Sequence, residues 1–69
     1  MNVVEVRACL LANIDAVVHV TWTDGDKYYV KVLTVDDEGF VYDLVPPDPR
    51  TPYWNTFEDV IDVEPPVST

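Results

Sequence analysis

The chain has 69 residues, 48% of them hydrophobic, and its 13 acidic residues against 4 basic ones give a formal net charge of −9. A chain of this length has room for one small core, and its apolar content is too high for an intrinsically disordered acidic tail. The charge argues against direct binding to nucleic acid or to an anionic membrane, since both need clustered Lys and Arg. It favours a protein partner with a basic surface.

Cysteine content and hydropathy narrow the setting further. The single cysteine, Cys9, excludes an internal disulfide and a zinc site built from several thiolates, and it favours a reducing, cytoplasmic compartment. The N-terminal run has no basic segment typical of a signal peptide, and no apolar run is long enough to span a membrane. We expect one domain over 1–64, followed by a frayed tail over 65–69.

The first predicted element is a strand over 3–11, because the segment begins with β-branched residues, although 8–12 also fits a short helix. A turn at 13–15 follows. The two clearest strands cover 17–22 and 28–35, where apolar and polar residues alternate.

The dipeptide Asp-Gly at 24–25 is typical of a two-residue hairpin turn, in which both turn residues need positive φ. Such a turn pairs Trp22 with Lys27. Two residues further from the turn it pairs Val20 with Tyr29, and the alternation of side chains then places Tyr29 on the same face as Trp22.

The second half of the chain predicts several short elements. In chain order they are an acidic turn over 36–39, a strand over 40–45, a proline-rich loop over 46–52, a short strand over 53–56, a helical turn over 56–59 and a last strand over 60–63. The prolines end the strand over 40–45 because proline lacks the N–H that a β-ladder needs. Five or six strands in so short a chain close only as a small barrel or a tightly rolled sheet.

From residue 16 to residue 63 the order of these signals resembles a Tudor-type, SH3-like small β-barrel. The matching features are a strand ending in Trp22, an Asp-Gly turn at 24–25, aromatic residues at 28–29, an acidic turn ending in Gly39, a strand closing on Asp43 and a helical turn before the last strand. The resemblance implies an all-β fold, a single SH3-like (Tudor-like) barrel of five or six short antiparallel strands with one helical turn near 56–59.

The resemblance also implies a binding site. Tudor-type domains that read methylated Lys or Arg use an aromatic cage and an acidic residue, because a methylated cation is held over π faces with a compensating charge nearby. By position, this implies a cage formed by Trp22, Tyr29, Tyr42 and Asp43. The alternative is that these aromatic side chains fill a thin core.

The sequence offers little for catalysis or for cofactors. The only histidine, His19, lies in mid-strand, the only serine, Ser68, lies in the predicted tail, and Cys9 lies in an apolar run that disfavours its thiolate. With two glycines there is no glycine-rich phosphate cradle, and the acidic turns lack the spacing of an EF-hand. We expect a protein that is not an enzyme and uses no cofactor or metal.

The acidic surface gives the leading hypothesis for function. Negative charges on a rigid barrel can occupy a cationic groove that normally holds nucleic-acid phosphates, and they steer association at long range. The expected contact residues are Asp24, Asp26, Asp36, Asp37, Glu38 and Trp54. The chain would then be an inhibitor or regulator that docks on the nucleic-acid-binding surface of a partner, such as a polymerase or nuclease. Small acidic inhibitors of this kind are often encoded by phages.

Two other functions stay open. One is a Tudor-type reader of methylated Lys or Arg peptides that uses the implied cage. The other is a structural or assembly subunit, a monomer or weak homodimer, that pairs through an exposed edge strand at 3–11, because an open edge invites pairing.

Overall fold

The computed structural model describes residues 1–66. Its elements are α1 (Val3–Leu11), β1 (Val17–Trp22), β2 (Lys27–Val35), β3 (Gly39–Leu44), β4 (Tyr53–Thr56), a 3-10 turn η1 (Phe57–Asp59) and β5 (Val60–Glu64). The strands form one antiparallel sheet in the order β4-β3-β2-β1-β5. This confirms a small all-β domain with a helical turn near 56–59, consistent with a small SH3-like fold. Residues 67–69 of the predicted tail, Ser68 among them, lie outside the described residues.

Residues 3–11 form helix α1, so the predicted strand was wrong. The helix begins with a reciprocal cap, in which the Asn2 side chain accepts a hydrogen bond from the Glu5 backbone N–H (2.8 Å) and the Glu5 carboxylate accepts one from the Asn2 N–H (3.3 Å). Such a capping box pairs N–H groups that a helix start leaves unsatisfied. It offsets the low helix propensity of β-branched valines. Val6 and Leu10, one turn apart, are the buried residues of the helix.

Helix α1 packs against β2, η1 and β5, and β5 forms one edge of the sheet. The N-terminal ammonium of Met1 donates a hydrogen bond to the Ile61 carbonyl (2.9 Å), and the Cys9 thiol lies 3.9 Å from the Val63 carbonyl. The segment therefore covers part of an edge and does not supply one. This removes the basis for a subunit that pairs through an N-terminal edge strand. Among residues 1–66, no helix is long and apolar enough to cross a membrane.

The core lies between α1 and the inner face of the sheet. Its buried side chains are Val6, Leu10, Val18, Val20, Trp22, Val30, Val32, Phe40, Tyr42, Phe57, Val60 and Val63. Aromatic rings fill one part of this core, because Phe40 lies 5.1 Å from Tyr42, 6.0 Å from Trp22 and 6.2 Å from Phe57 between ring centroids. Trp22 and Tyr42 are the members of this aromatic cluster that lie nearest the surface.

The β1–β2 hairpin differs from its predicted register by one residue. Val20 pairs with Tyr28 and not with Tyr29. The connecting loop holds three residues, and its last residue, Gly25, has φ +93° and closes the turn with a 3.0 Å hydrogen bond from its N–H. A two-residue turn would also need positive φ at Asp24, which that residue does not have. The predicted turn was therefore wrong.

A shift of one residue exchanges the faces on which the side chains of β2 lie relative to those of β1. Tyr28 and Val30 accordingly share the inner face with Val20. Tyr29 lies on the outer face, where it is 57% exposed and its ring stacks on His19 at a centroid distance of 4.5 Å. The predicted face shared by Tyr29 and Val20 does not exist.

Candidate functional site

A pocket of about 700 Å³ lies beside the β1–β2 turn. Its volume falls in the range of small-ligand sites, roughly 300–1,000 Å³. The lining residues come from both hairpin strands and the turn between them, from β3, β4 and η1, and from the proline-rich connection between β3 and β4: Trp22, Thr23, Asp24, Asp26, Tyr28, Tyr42, Leu44, Asp48, Tyr53, Asn55 and Asp59. Most of them are aromatic or acidic, and none is basic.

Aromatic rings form the inner wall of the pocket. The rings of Trp22 and Tyr42 are mostly buried, with centroids 5.5 Å apart, and Tyr53 lies 5.9 Å from Tyr42. Tyr28, at the start of β2, is 46% exposed and stands nearer the solvent. Since Trp22 and Tyr42 also pack against core residues, the fold holds this wall in place before any ligand binds.

A hydrogen-bond chain runs from Tyr42 to the rim of the pocket. The Tyr42 hydroxyl donates to Oδ1 of Asn55 (2.6 Å), and Nδ2 of Asn55 donates to Oδ2 of Asp59 (3.1 Å). Burial, with Tyr53 and the Asp59 carboxylate adding to it, raises the pKa of Tyr42 to about 12. The phenol therefore remains a donor at neutral pH, and the chain fixes the orientation of the Asn55 amide and one edge of the Asp59 carboxylate.

A second hydrogen bond attaches the proline-rich connection to β4. The Tyr53 hydroxyl donates to Oδ2 of Asp48 (2.6 Å), and the Arg50 backbone N–H donates to Oδ1 of Asp48 (2.8 Å). The bond from Tyr53 is the largest cause that lowers the pKa of Asp48, and the same bond raises the pKa of Tyr53. Asp48 is thus a carboxylate at neutral pH and has a fixed place at the pocket.

Four carboxylates, from three separate segments, line the pocket: Asp24 and Asp26 from the β1–β2 turn, Asp48 from the proline-rich connection and Asp59 from η1. The Thr23 N–H donates to the Asp59 carbonyl (3.0 Å) and joins the turn to η1. In the part of the chain that the structure describes, the one ion pair is Arg7 with Asp37 at 3.4 Å, and neither residue lines the pocket. The pocket is therefore strongly negative and suits a cation held against aromatic faces.

The structure brings together half of the implied aromatic cage. Trp22 and Tyr42 line the pocket, whereas Tyr29 and Asp43 do not. Tyr29 lies on the outer face because of the hairpin register. Asp43 follows Tyr42 along β3, so the alternation of a strand turns it to the opposite face, where it pairs with Lys31 across β2 and β3.

The predicted acidic contact residues fall into two groups at opposite ends of β2. Asp24 and Asp26 line the pocket. Asp36, Asp37 and Glu38 lie at the β2–β3 turn, at the other end of a strand of nine residues.

Trp54 belongs to the second group, because its indole N–H donates to Oδ2 of Asp36 at 3.0 Å. Oδ1 of Asp36 accepts the backbone N–H groups of Glu38 (2.7 Å) and Gly39 (2.6 Å). These bonds lower the pKa of Asp36, and the bond from the Glu38 backbone is the largest cause. We call Asp36, Asp37, Glu38 and Trp54 the turn cluster.

Seven pocket residues were not predicted as site residues: Thr23, Tyr28, Leu44, Asp48, Tyr53, Asn55 and Asp59. The alternation along β2 carried a signal for Tyr28, since it shares the period of the apolar Val30 and Val32. Tyr53 and Asn55, two apart on a short strand, share a face by the same rule. For Asp48 the sequence held no signal, because its place depends on how the proline-rich connection folds back so that the Tyr53 hydroxyl reaches it.

Other reactive side chains lie away from the pocket. His19 stacks on Tyr29 at the outer face, and burial, with the nearby Asp62 carboxylate, raises the pKa of the Cys9 thiol. Within residues 1–66, no three His, Cys, Asp or Glu side chains lie together in a way that can hold a metal ion. The arrangement in the pocket suits binding of a cation.

Comparisons with families of known proteins, with curated proteins and with solved structures each found no match to this chain. The pocket and the surface around it are therefore the basis for inferring function.

Proposed function

We propose that this protein is a non-catalytic binding module that docks on a basic segment of a partner protein and takes one cationic side chain of that segment into the pocket. The observation that carries the proposal is the lining: four aromatic rings and four carboxylates without a basic residue. Aromatic faces attract cations by about 0.5–2 kcal/mol each, more where water is excluded. The carboxylates supply the opposite charge.

The net charge of −9 adds a long-range component to this proposal. A negative surface raises the rate of encounter with a basic partner, and salt screens that effect. Contact with the rings sets how long the complex lasts, because desolvated aromatic anchors dominate dissociation. We therefore expect affinity to fall as salt rises, mainly through slower association.

The adjacent residues Tyr28 and Tyr29 provide a matched test. Both are exposed tyrosines of β2, but Tyr28 lines the pocket and Tyr29 lies on the opposite face. With a short Gly-Arg peptide as probe, calorimetry should show that Tyr28→Ala raises Kd by about five- to tenfold, the equivalent of one lost cation–π contact. Tyr29→Ala should leave Kd within about twofold. Equal losses in both variants, or no binding by the unaltered protein, would refute the proposal.

A narrower form of the proposal names the partner. In this form the chain is an inhibitor that mimics nucleic acid on the basic surface of a nucleic-acid-processing enzyme, phage-encoded and acting in a reducing cytoplasm. The turn cluster supports it, because Asp36 and Asp37 stand with the half-exposed ring of Trp54. Charge reversal of Asp36 and Asp37 should then abolish capture of such an enzyme from host lysate, and unchanged capture would refute this form.

A second candidate function is the reading of methylated Lys or Arg. The placement of Trp22 and Tyr42 favours it, since both rings line the pocket with centroids 5.5 Å apart, and a methylated cation is held by adjoining aromatic rings. This candidate predicts that methylation of the peptide increases affinity. Loss of affinity on methylation would refute it and would leave the cation-binding proposal standing.

A further inference from the structure

We infer that the side chain taken into the pocket is an unmodified arginine, recognised by hydrogen bonds from its guanidinium to the carboxylates as well as by the aromatic wall. This inference rests on the proposed function and names the ligand of the same site. It follows from the number, the placement and the free oxygens of the pocket carboxylates.

The carboxylates have acceptor capacity that the protein does not use. Within residues 1–66, the Asp26 carboxylate accepts no hydrogen bond, although the Asp26 backbone N–H donates to Oδ1 of Asp24 (2.9 Å). Asp24 and Asp59 each use one oxygen and leave the other without a protein donor in the same part of the chain. Such oxygens can accept hydrogen bonds from a ligand that brings several N–H donors.

The placement of the carboxylates favours a planar ligand with donors on more than one side. The turn that carries Asp24 and Asp26 is joined to η1, which carries Asp59, by the Thr23 hydrogen bond. Asp48 reaches the pocket from a different segment, held by the Tyr53 hydroxyl. A guanidinium has five donors in a rigid plane, can meet carboxylates at its edges and can stack its face on a ring.

Lysine and the methylated cations use this arrangement less well. A lysine ammonium is a compact, strongly hydrated charge with three donors, and it lacks the planar fork that meets a carboxylate with two hydrogen bonds while stacking on a ring. Trimethyl-lysine has no N–H donor, and methylation of arginine keeps the charge but blocks bidentate hydrogen bonding. The aromatic wall alone would accept all of these cations, and the carboxylates are what distinguish between them.

The test uses four peptides of one Gly-rich sequence that differ only in a central residue: arginine, asymmetric dimethylarginine, lysine or trimethyl-lysine. Calorimetry with the full chain should give the arginine peptide a Kd at least about tenfold below those of the dimethylarginine and trimethyl-lysine peptides, which corresponds to about one lost bidentate contact. The Kd of the lysine peptide should lie between that of the arginine peptide and those of the two methylated peptides.

Two isosteric variants locate the effect. Asp26→Asn removes a pocket carboxylate that accepts no hydrogen bond from the described residues. The Kd of the dimethylarginine peptide divided by the Kd of the arginine peptide should therefore fall several-fold in this variant. Glu58→Gln removes the same charge from an exposed residue of η1 that does not line this pocket, and it should leave the ratio unchanged. Equal effects of the two variants would show that net charge, and not hydrogen bonding, sets the preference, and would overturn the inference.

The outcomes separate the inference from the proposed function. If the dimethylarginine or trimethyl-lysine peptide binds as tightly as the arginine peptide and loses affinity in Tyr28→Ala, the inference fails and the pocket is still a cation site. If no peptide binds at low salt, the proposed function fails as well.

Discussion

The packing of α1 on the sheet predicts a large difference between two neighbouring leucines. Leu10 is 0% exposed and lies in the core, whereas Leu11 is 41% exposed. Leu10→Ala removes buried methyl groups and leaves a cavity, which costs about 2–5 kcal/mol. A small domain rarely has more than about 3–5 kcal/mol of stability from its core, so this variant should be largely or fully unfolded at room temperature. Tryptophan fluorescence without and with urea reports the folded fraction of each variant.

Leu11→Ala is the matched control, and it should change the free energy of unfolding by no more than about 0.5 kcal/mol. Equal costs at the two positions would refute the packing described for α1. A third variant tests whether residues 3–11 form a helix or a strand, because a strand that buries Val6 and Leu10 would bury Val4 as well. In the helix Val4 is 76% exposed, so Val4→Lys should be tolerated. Unfolding of that variant would contradict the helical assignment.

Three further predictions concern the cap, the pocket and the β3–β4 pairing. Asn2→Ala should cost about 1 kcal/mol in urea unfolding, because it removes the acceptor that caps α1, and no change would show that the cap adds nothing. The pKa of Tyr42 is raised from 10.0 to about 12, so its contribution to stability is complete below pH 10 and is lost as the pH rises through about 12. Between pH 10 and about 12 the free energy of unfolding should therefore fall less steeply in Tyr42→Phe than in the unaltered protein. Parallel pH profiles of the two proteins would contradict the raised pKa of Tyr42. Gly39→Ala would drive a methyl group into the backbone of Asn55 and should lower the free energy of unfolding by about 1–3 kcal/mol. Each kcal/mol corresponds to a fall in Tm of roughly 4–8 °C in a domain of this size. An unchanged Tm would refute the close approach of Gly39 to Asn55.

Alternation and turn residues predicted most of the sheet, since β1 and β4 have their predicted bounds and the bounds of the other strands differ from theirs by at most one residue. The hairpin register was wrong because the preference of Asp-Gly for a two-residue turn was weighed above side-chain alternation. Val18, Val20 and Trp22 are buried on β1, and Val30 and Val32 on β2. Pairing buried with buried positions requires the three-residue loop, so the hydrophobic pattern contained the correct register.

Helix α1 was missed for a related reason. β-Branched residues dominate its start, and the intrinsic preference of Val3 and Val4 for strands was followed. The signal against a strand was Asn2 with Glu5 three residues later, which forms the capping box. Tertiary packing of Val6 and Leu10 then stabilises a helix that is marginal by propensity.

The candidate site was only partly predictable. Trp22 and Tyr42 followed from the resemblance to Tudor-type barrels, and Asp24 and Asp26 from the acidic turn. Asp48 depends on how the proline-rich connection folds back onto Tyr53, which local sequence patterns do not determine. The same holds for the chain from Tyr42 through Asn55 to Asp59, because its bonds join side chains on different elements.

The most direct test of the central claim uses the two tryptophans of the chain as reporters. Trp22 lines the pocket, while Trp54 belongs to the turn cluster at the other end of β2. In a ¹⁵N-labelled sample titrated with a short Gly-Arg peptide, each indole N–H gives its own resonance. We predict that the Trp22 resonance shifts in a saturable manner and that the Trp54 resonance does not move. A shift of Trp54 alone, or of neither indole, would contradict binding of a cation in the pocket.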